Sequence, residues 1–163
     1  MKYISLLLTT LLATSAFASK FDEMKTLAEQ GDIAAQYNVG VIYDFGNGIP
    51  EDDVEAIKWY RKAADGGLAE AQYNLAVLYR NGSGVSQSNA EALKWYLMAA
   101  DQGYAAAQQN LGFMYSNGLG VPVQDIEAIK WYRLASLQGV PSAQSNLGII
   151  YATGKGVPVD YIQ

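Results

Sequence analysis

The chain predicts an all-α solenoid of antiparallel helix pairs with a 36-residue repeat, and three observations support that prediction. One stretch, Ala71-Gln72-Tyr73-Asn74-Leu75-Ala76-Val77-Leu78-Tyr79-Arg80-Asn81-Gly82, returns with edits at Ala35–Tyr43, Ala107–Tyr115 and Ala143–Gly148, always 36 residues on and without a gap. Self-similarity at such an interval marks units that stack in a row. Between these stretches, apolar residues recur at spacings of three and four, the period of a helix face. Each stretch is followed by Gly-x-Gly (Gly46, Gly48; Gly82, Gly84; Gly118, Gly120; Gly154, Gly156). The first glycine can take the left-handed conformation that closes a helix, and the second lets the chain turn back.

Taken in order, Lys2, the apolar run Tyr3–Leu12 and the small residues ending Ala16-Phe17-Ala18 form an export signal over residues 1–18, cut before Ser19. The run is too short to span a bilayer, which needs about 20 residues. Residues 19–31 read as an N-terminal capping helix, with Phe21, Met24, Leu27 and Ala28 on one face and Gly31 at its end. The solenoid then occupies 32–163, in units 32–67, 68–103 and 104–139, with an incomplete unit at 140–163.

Each full unit opens with a helix A, predicted at 32–45, 68–81, 104–117 and 140–153. Pro50, Pro122 and Pro158 stop it from continuing, with Ser86 in the remaining loop. Helix B follows at 53–66, 89–102 and 125–138. Ser88 with Glu91 forms a capping box, and Asp52 with Glu55 offers the same arrangement. In the third unit Gln124 weakens the signal and Asp125 becomes the expected cap. On B the recurring set is Ala56, Ile57, Trp59, Tyr60, Ala63, then Ala92, Leu93, Trp95, Tyr96, Ala99, then Ala128, Ile129, Trp131, Tyr132, Ala135. Small residues on both helices (Gly40, Ala76, Gly112, Gly148 on A; Ala56, Ala92, Ala128 on B) let the axes approach while Trp and Tyr fill the space between units. The last unit stops after Asp160-Tyr161-Ile162-Gln163. Without a helix B, Leu147, Ile150 and Tyr151 are expected to lack a cover, so the chain is expected to be a fragment or to use that end for association.

Composition excludes several function classes. The 11 basic and 16 acidic residues give a net charge of −5, or −6 once the leader with Lys2 is removed. A nucleic-acid binder needs a basic stripe, and none is present. There is no Cys, so no disulfide framework, and no His, so neither a Ser-His-Asp nor a Cys-His nucleophile nor the usual zinc site can be built. No catalytic residue, metal or cofactor is expected. Glu51-Asp52-Asp53 with Glu55 reads as helix capping and dipole complementarity in preference to a cation site. The Gly-x-Gly loops follow helices and lack the strand that phosphate-cradling loops require. Lys58, Lys94 and Lys130 read as a solvated face.

The order A-x-x-N-L-G-x-x-Y-x-x-G-x-G-V-P, then D-x-x-x-A-x-K-W-Y-x-x-A-A-x-x-G, resembles the Sel-one-like repeat (SLR) family, a relative of the tetratricopeptide repeats, over essentially the whole mature chain. The resemblance implies a right-handed superhelix with the A helices lining a concave surface, and exported relatives that bind proteins or cell-envelope material. One cysteine-rich branch is described as penicillin-binding; this chain has no cysteine and departs from it.

Comparison of the units with one another separates two kinds of position on helix A. Ala, Gln, Asn and Tyr recur, whereas the stripe at offsets 0, 3, 7 and 10 changes: Ala34, Tyr37, Val41, Asp44; Glu70, Tyr73, Val77, Arg80; Ala106, Gln109, Phe113, Ser116; and Ser142, Ser145, Ile149, Ala152. These offsets share one helical face. The first twelve are the candidate ligand-binding residues, with Tyr37, Tyr73 and Phe113 as apolar anchors and Asp44, Glu70 and Arg80 as directional contacts. Four A helices about 8–10 Å apart span on the order of 30 Å, the length of about nine extended residues at about 3.3 Å each. The expected function is a non-enzymatic periplasmic or secreted adaptor that takes another protein or extended peptide, a cell-envelope component or a host protein on the concave face. The alternatives are a peptidoglycan or muropeptide binder, and a weak β-lactam or cell-wall hydrolase by analogy with the cysteine-rich branch.

If Ala92 marks a close approach of helices, Ala92→Leu overpacks it at a cost of about 1–3 kcal/mol. Thermal unfolding followed by circular dichroism should show a lower Tm; an unchanged one contradicts the close approach.

Overall fold

The computed structural model describes residues 18–154. They form helices α1 (18–29), α2 (Ile33–Phe45), α3 (Asp53–Asp65), α4 (Ala69–Asn81), α5 (Asn89–Asp101), α6 (Ala105–Asn117), α7 (Asp125–Leu137) and α8 (Pro141–Thr153), with no strand among the described residues. The expected export signal, but for Ala18, and the segment from Lys155 with Pro158 and Asp160 lie outside the described residues. Each helix packs on the next in sequence, most closely within the pairs α2/α3, α4/α5 and α6/α7, and α6 also touches α8. This is the predicted all-α solenoid of helix pairs.

The chain forms these helices where the sequence marks their ends. Gly46, Gly82, Gly118 and Gly154 close the A helices with φ of 61°, 75°, 68° and 66°. Asp52 accepts from the Glu55 amide at 3.0 Å and Ser88 from the Glu91 amide at 3.2 Å, so both caps form, but the boxes stay half made: the Asp52 and Ser88 amides donate to the Tyr43 and Tyr79 carbonyls at 2.9 Å, not to Glu55 and Glu91. Asp125 is not a cap. It is the first helical residue of α7, whose capping position falls on Gln124 with no side-chain bond. The register of the repeat fixes the helix start, and a carboxylate one residue late contributes to the dipole instead.

Inside the stack, Tyr60 and Tyr96 are fully buried and Tyr132 nearly so. The small residues facing them set the helix spacing. A Cβ added to Gly40 would meet the Tyr60 ring at 2.6 Å, and one added to Gly112 the Tyr132 ring at 2.5 Å; Ala76 stands there in the second unit. The recurring glutamine ties one unit to the next. Gln36, Gln72 and Gln108 are buried and donate through Nε2 to the carbonyls of Ala28, Ala64 and Ala100, at 3.1, 3.1 and 3.2 Å. Gln102 and Gln138 in turn each donate to the side-chain oxygen of Gln72 and Gln108, at 2.8 Å.

At α8 the expected bare row is not the bare one. Leu147 and Ile150 are buried with Ile129, Tyr132 and Ala135, and Tyr151 is half-buried beside them. Ala143, Leu147 and Ile150 lie at spacings of four and three that face α7, which is present. The open residues are those of the opposite phase, Gln144, Ser145, Gly148 and Ile149.

The second glycine of each loop does more than allow a turn. A Cβ on Gly120 (φ 73°) would lie 2.6 Å from the Asn89 backbone, and one on Gly84 (φ 63°) 2.6 Å from that of Asp53, so each loop rests on the N-terminus of the preceding helix B. Gly139 (φ 82°) has the same backbone hand and nothing within 4 Å. Gly139→Ala should therefore cost only left-handed strain, about 1–2 kcal/mol, whereas Gly120→Ala adds an overpacking cost of about 1–3 kcal/mol. Urea unfolding of the two variants checks the order; equal midpoints contradict the loop contact.

Candidate functional site

None of the twelve candidate residues is buried. Ala34, Glu70 and Phe113 are exposed; Tyr37, Val41, Asp44, Tyr73, Val77, Arg80, Ala106, Gln109 and Ser116 are half-buried. On the same helices Ala71, Gln72, Leu75, Ala76 and Tyr79 are buried. The helical phase that turns the recurring Ala and Gln inward on α2, α4 and α6 leaves the variable residues outward.

The outward residues are not loose. The Tyr37 ring lies 5.8 Å from that of Tyr60, and the Tyr73 ring 5.7 Å from that of Tyr96 and 5.1 Å from that of Tyr104, all tilted. Each aromatic of the stripe thus rests one face on the structure, as aromatic pairs prefer. The position occupied by Asp44, Arg80 and Ser116 stands at the phenol ends of Tyr60, Tyr96 and Tyr132. The Tyr60 hydroxyl donates to Asp44 Oδ2 at 2.9 Å. Arg80 donates to Asn110 Oδ1 at 3.2 Å; burial pushes the Tyr96 phenol up, a shift that the nearby Arg80 charge opposes, and the buried Tyr96 hydroxyl has no hydrogen-bond partner among the described residues. Ser116 lies beside Tyr132. In the third unit the shorter Ser116 sits at a cavity of about 140 Å³, shared with Asn117, Asp125, Tyr132, Asn146, Ile149 and Ile150.

Three groups of this surface escape the sequence comparison. Tyr104 could have been found, because its position varies too (Asp32, Leu68, Tyr104, Val140). The recurring asparagines could not. They repeat and so look like construction, yet Asn74 sits against the Tyr37 and Tyr60 phenols and Asn110 binds Arg80. The phenol ends of Tyr60, Tyr96 and Tyr132 are hidden in the same way.

Elsewhere the bland readings fit the contacts. Asp52 caps α3, Glu55 pairs with Lys58 at 2.5 Å, and among the described residues no group of three or more acidic side chains is arranged to hold a metal ion. Lys94 and Lys130 lie 5.2 and 5.1 Å from the adjacent Trp95 and Trp131 ring centroids, with their side chains along the helix surface. No helix among the described residues is long and apolar enough to cross a membrane.

The family model of the Sel1 repeat matches residues 33–68, 69–104, 105–140 and 141–163. The chain belongs to the Sel1 repeat family. Sel1 repeats generally mediate protein interactions and are typically non-catalytic scaffolds. Among solved structures, the Sel1 repeat chain is similar to a protective antigen present in uropathogenic Escherichia coli strains displaying an SLR fold. The identity is 44% and the TM-score 0.83, over 86% of this chain and 30% of that one. It is similar to a Sel1 repeat protein from Oxalobacter formigenes at 40% identity and TM-score 0.77, over 80% of this chain and 52% of that one. It therefore spans under a third of the first relative and about half of the second. Helicobacter pylori cysteine rich protein B, at 18% identity and TM-score 0.63 over 78% of this chain and 96% of that one, shares the fold alone. No curated protein matches the chain.

Within this Sel1 stack Asp44 carries a cost. Partial burial pushes its carboxyl above the usual range; the Tyr60 hydroxyl donating to it opposes the shift, and Asp53 and Glu51 add to it. A carboxyl with a raised pKa in the folded state destabilises the fold once ionised, so its penalty is absent below the unfolded value near 3.8 and grows as pH rises through the folded value. Asp44→Asn, which can still accept from Tyr60, should raise Tm at pH 7 and lose that advantage below about pH 4. A pH series of melting curves for the two proteins checks both halves.

Proposed function

We propose that this Sel1 repeat chain is an exported, non-enzymatic adaptor that takes a protein segment in extended form along the variable stripe of α2, α4 and α6, the face taken as concave. What supports the reading is one observation: the positions at which the units differ are all accessible and follow one another across successive A helices, while the recurring Ala35, Ala71 and Ala107 and Gln36, Gln72 and Gln108 beside them are buried. A surface free to differ between units that must stack alike is not needed for stacking. Tyr37, Tyr73 and Phe113 supply apolar contact area; Asp44, Glu70 and Arg80 supply direction. Propped by Tyr60, Tyr96 and Tyr104, the two tyrosines are held in place before a ligand arrives, which lowers the entropy lost on binding. The periplasm or the outside of the cell is the proposed location, supported by the Lys2, Tyr3–Leu12 and Ala16-Phe17-Ala18 pattern.

The test uses the chain as bait in an extract of its native host, with crosslinking and mass spectrometry to identify what is captured. A partner held by the wild type should be lost from Tyr73→Ala with Arg80→Ala, at unchanged helicity at 25 °C, and kept by Lys94→Ala on helix B. Capture that survives the double substitution refutes the groove. Co-sedimentation with purified peptidoglycan that depends on the same two residues transfers the surface to a glycan ligand.

A further inference from the structure

Helix α7 differs from the other B helices on its outer face. Ile126, Lys130, Arg133 and Leu137 follow one another at spacings of four, three and four, which aligns them in one seam along the helix. Ile129 and Leu134 flank it, and the six residues line a depression of about 420 Å³. Ile126 is 70% exposed and Leu137 85%. The seam therefore has an apolar group at each end and two cations between, of which Lys130 also pairs with Glu127 on its own helix at 3.4 Å, both side chains partly exposed.

The place of α7 next to the last described helix does not account for this exposure. The counterparts of Ile126 are Val54 and Ala90, and those of Leu137 are Asp65 and Asp101; all four are exposed, although α3 and α5 each have a further unit stacked on them. Stacking leaves this line to solvent in every unit, and the first two units place polar or smaller groups there. Arg133 also differs from its counterpart. Both arginines are exposed, but Arg61 donates to the Tyr79 hydroxyl and lies 5.6 Å from that ring's centroid, whereas the Tyr151 hydroxyl that corresponds to it is buried with no hydrogen-bond partner among the described residues.

The charge pattern chooses among occupants. Two copies of α7 packed antiparallel about a two-fold axis would bring Ile126 to Leu137 and Ile129 to Leu134 of the second copy, a good apolar match. The same axis brings Lys130 against Arg133 of the second copy at the centre of the contact, twice over, and like charges there oppose association. A helix with carboxylates in place of those cations keeps the apolar match and reverses the sign of the central term. We propose that the outer face of α7 docks an amphipathic helix of another protein, about three turns long, that carries an apolar residue at each end of its seam and two carboxylates between them. At about 1.5 Å per residue the contact runs about 16 Å, and it lies on the B helices, so it leaves the stripe of the A helices free for a second partner.

Two synthetic helical probes test this. One carries Leu, Glu, Glu and Leu at spacings of four, three and four on an Ala/Gln background; the other replaces both Glu by Lys. Fluorescence anisotropy against the full chain should show binding of the Glu probe at least about tenfold tighter than of the Lys probe, with the difference shrinking as salt rises. Lys130→Glu with Arg133→Glu should invert the preference, and Leu137→Glu should weaken both probes; all three positions are exposed, so melting curves should stay near wild type. Equal affinity for the two probes overturns the proposal, and so does no binding of either. Sedimentation of the chain alone as a dimer that Leu137→Glu dissolves assigns the face to a second copy and overturns it too. Leu137-dependent recruitment to phosphatidylglycerol vesicles does the same in favour of a lipid surface.

Discussion

The buried amide of the recurring glutamine is the interaction on which the stack depends. Gln72 is almost fully enclosed, and a primary amide in that position must have both of its ends satisfied or cost the desolvation of the unpaired group. Its nitrogen takes the Ala64 carbonyl at the end of the preceding helix B, and its oxygen takes the amide of Gln102 from the end of the following one. One side chain thereby ties three helices from two units to a common register. Helix ends have free carbonyls that need partners, so the glutamine satisfies a requirement of the B helix while meeting its own. A register slip by one residue would break both bonds and bury an apolar side chain in their place, which a greasy interface alone would not forbid.

Once register is set, the remaining packing follows from where the repeat is small. Gly40 and Gly112 let the Tyr60 and Tyr132 rings lie against helix A, and Gly84 and Gly120 let each loop lie on the start of the preceding helix B. These approaches leave little to adjust on the inner faces, where the changes stay apolar and close in size, as with Val39 against Leu75, Leu78 against Met114 and Gly40 against Ala76. Changes of charge and polarity fall mainly on the outward phase of the A helices and the outer line of the B helices. The two candidate surfaces occupy those two places, and their independence is a geometric result: they lie on opposite helices of each pair.

Most of this architecture was legible in the sequence, because a repeat exposes its own rules. Gly46, Gly82, Gly118 and Gly154 mark helix ends by a chemistry that needs no tertiary information, and Asp52 and Ser88 mark starts in the same way. The misses share a cause. Asp125 looks like a cap when read locally, but register set by packing overrides it. Leu147 and Ile150 were expected to be bare because helix B was missing, although their phase turns them to α7. In the candidate site, variability points to Tyr73 and Arg80 and is blind to Asn74, whose side chain lies against Tyr37 and Tyr60 while its identity never changes. Recurrence says that a residue is required, not whether the requirement is packing or contact.

Asp44, Arg80 and Ser116 show what that distinction means physically. All three stand at the same point of the repeat, at the phenol end of a buried tyrosine, and each deals with it differently. Asp44 accepts a hydrogen bond from the Tyr60 hydroxyl and is itself disfavoured as an anion; Arg80 brings a positive charge near Tyr96 but spends its hydrogen bond on Asn110; Ser116 is short and sits at an open cavity beside Tyr132. Stability alone would select one best solution and repeat it. Three different ones, each leaving a different charge and shape at the surface, fit the proposed groove, in which the same position also answers to something outside the chain. The destabilising member, Asp44, is the most telling, since a neutral acceptor would serve Tyr60 as well without the cost of a half-buried carboxylate. A side chain that works against the stability of its own fold fits a surface with a second task.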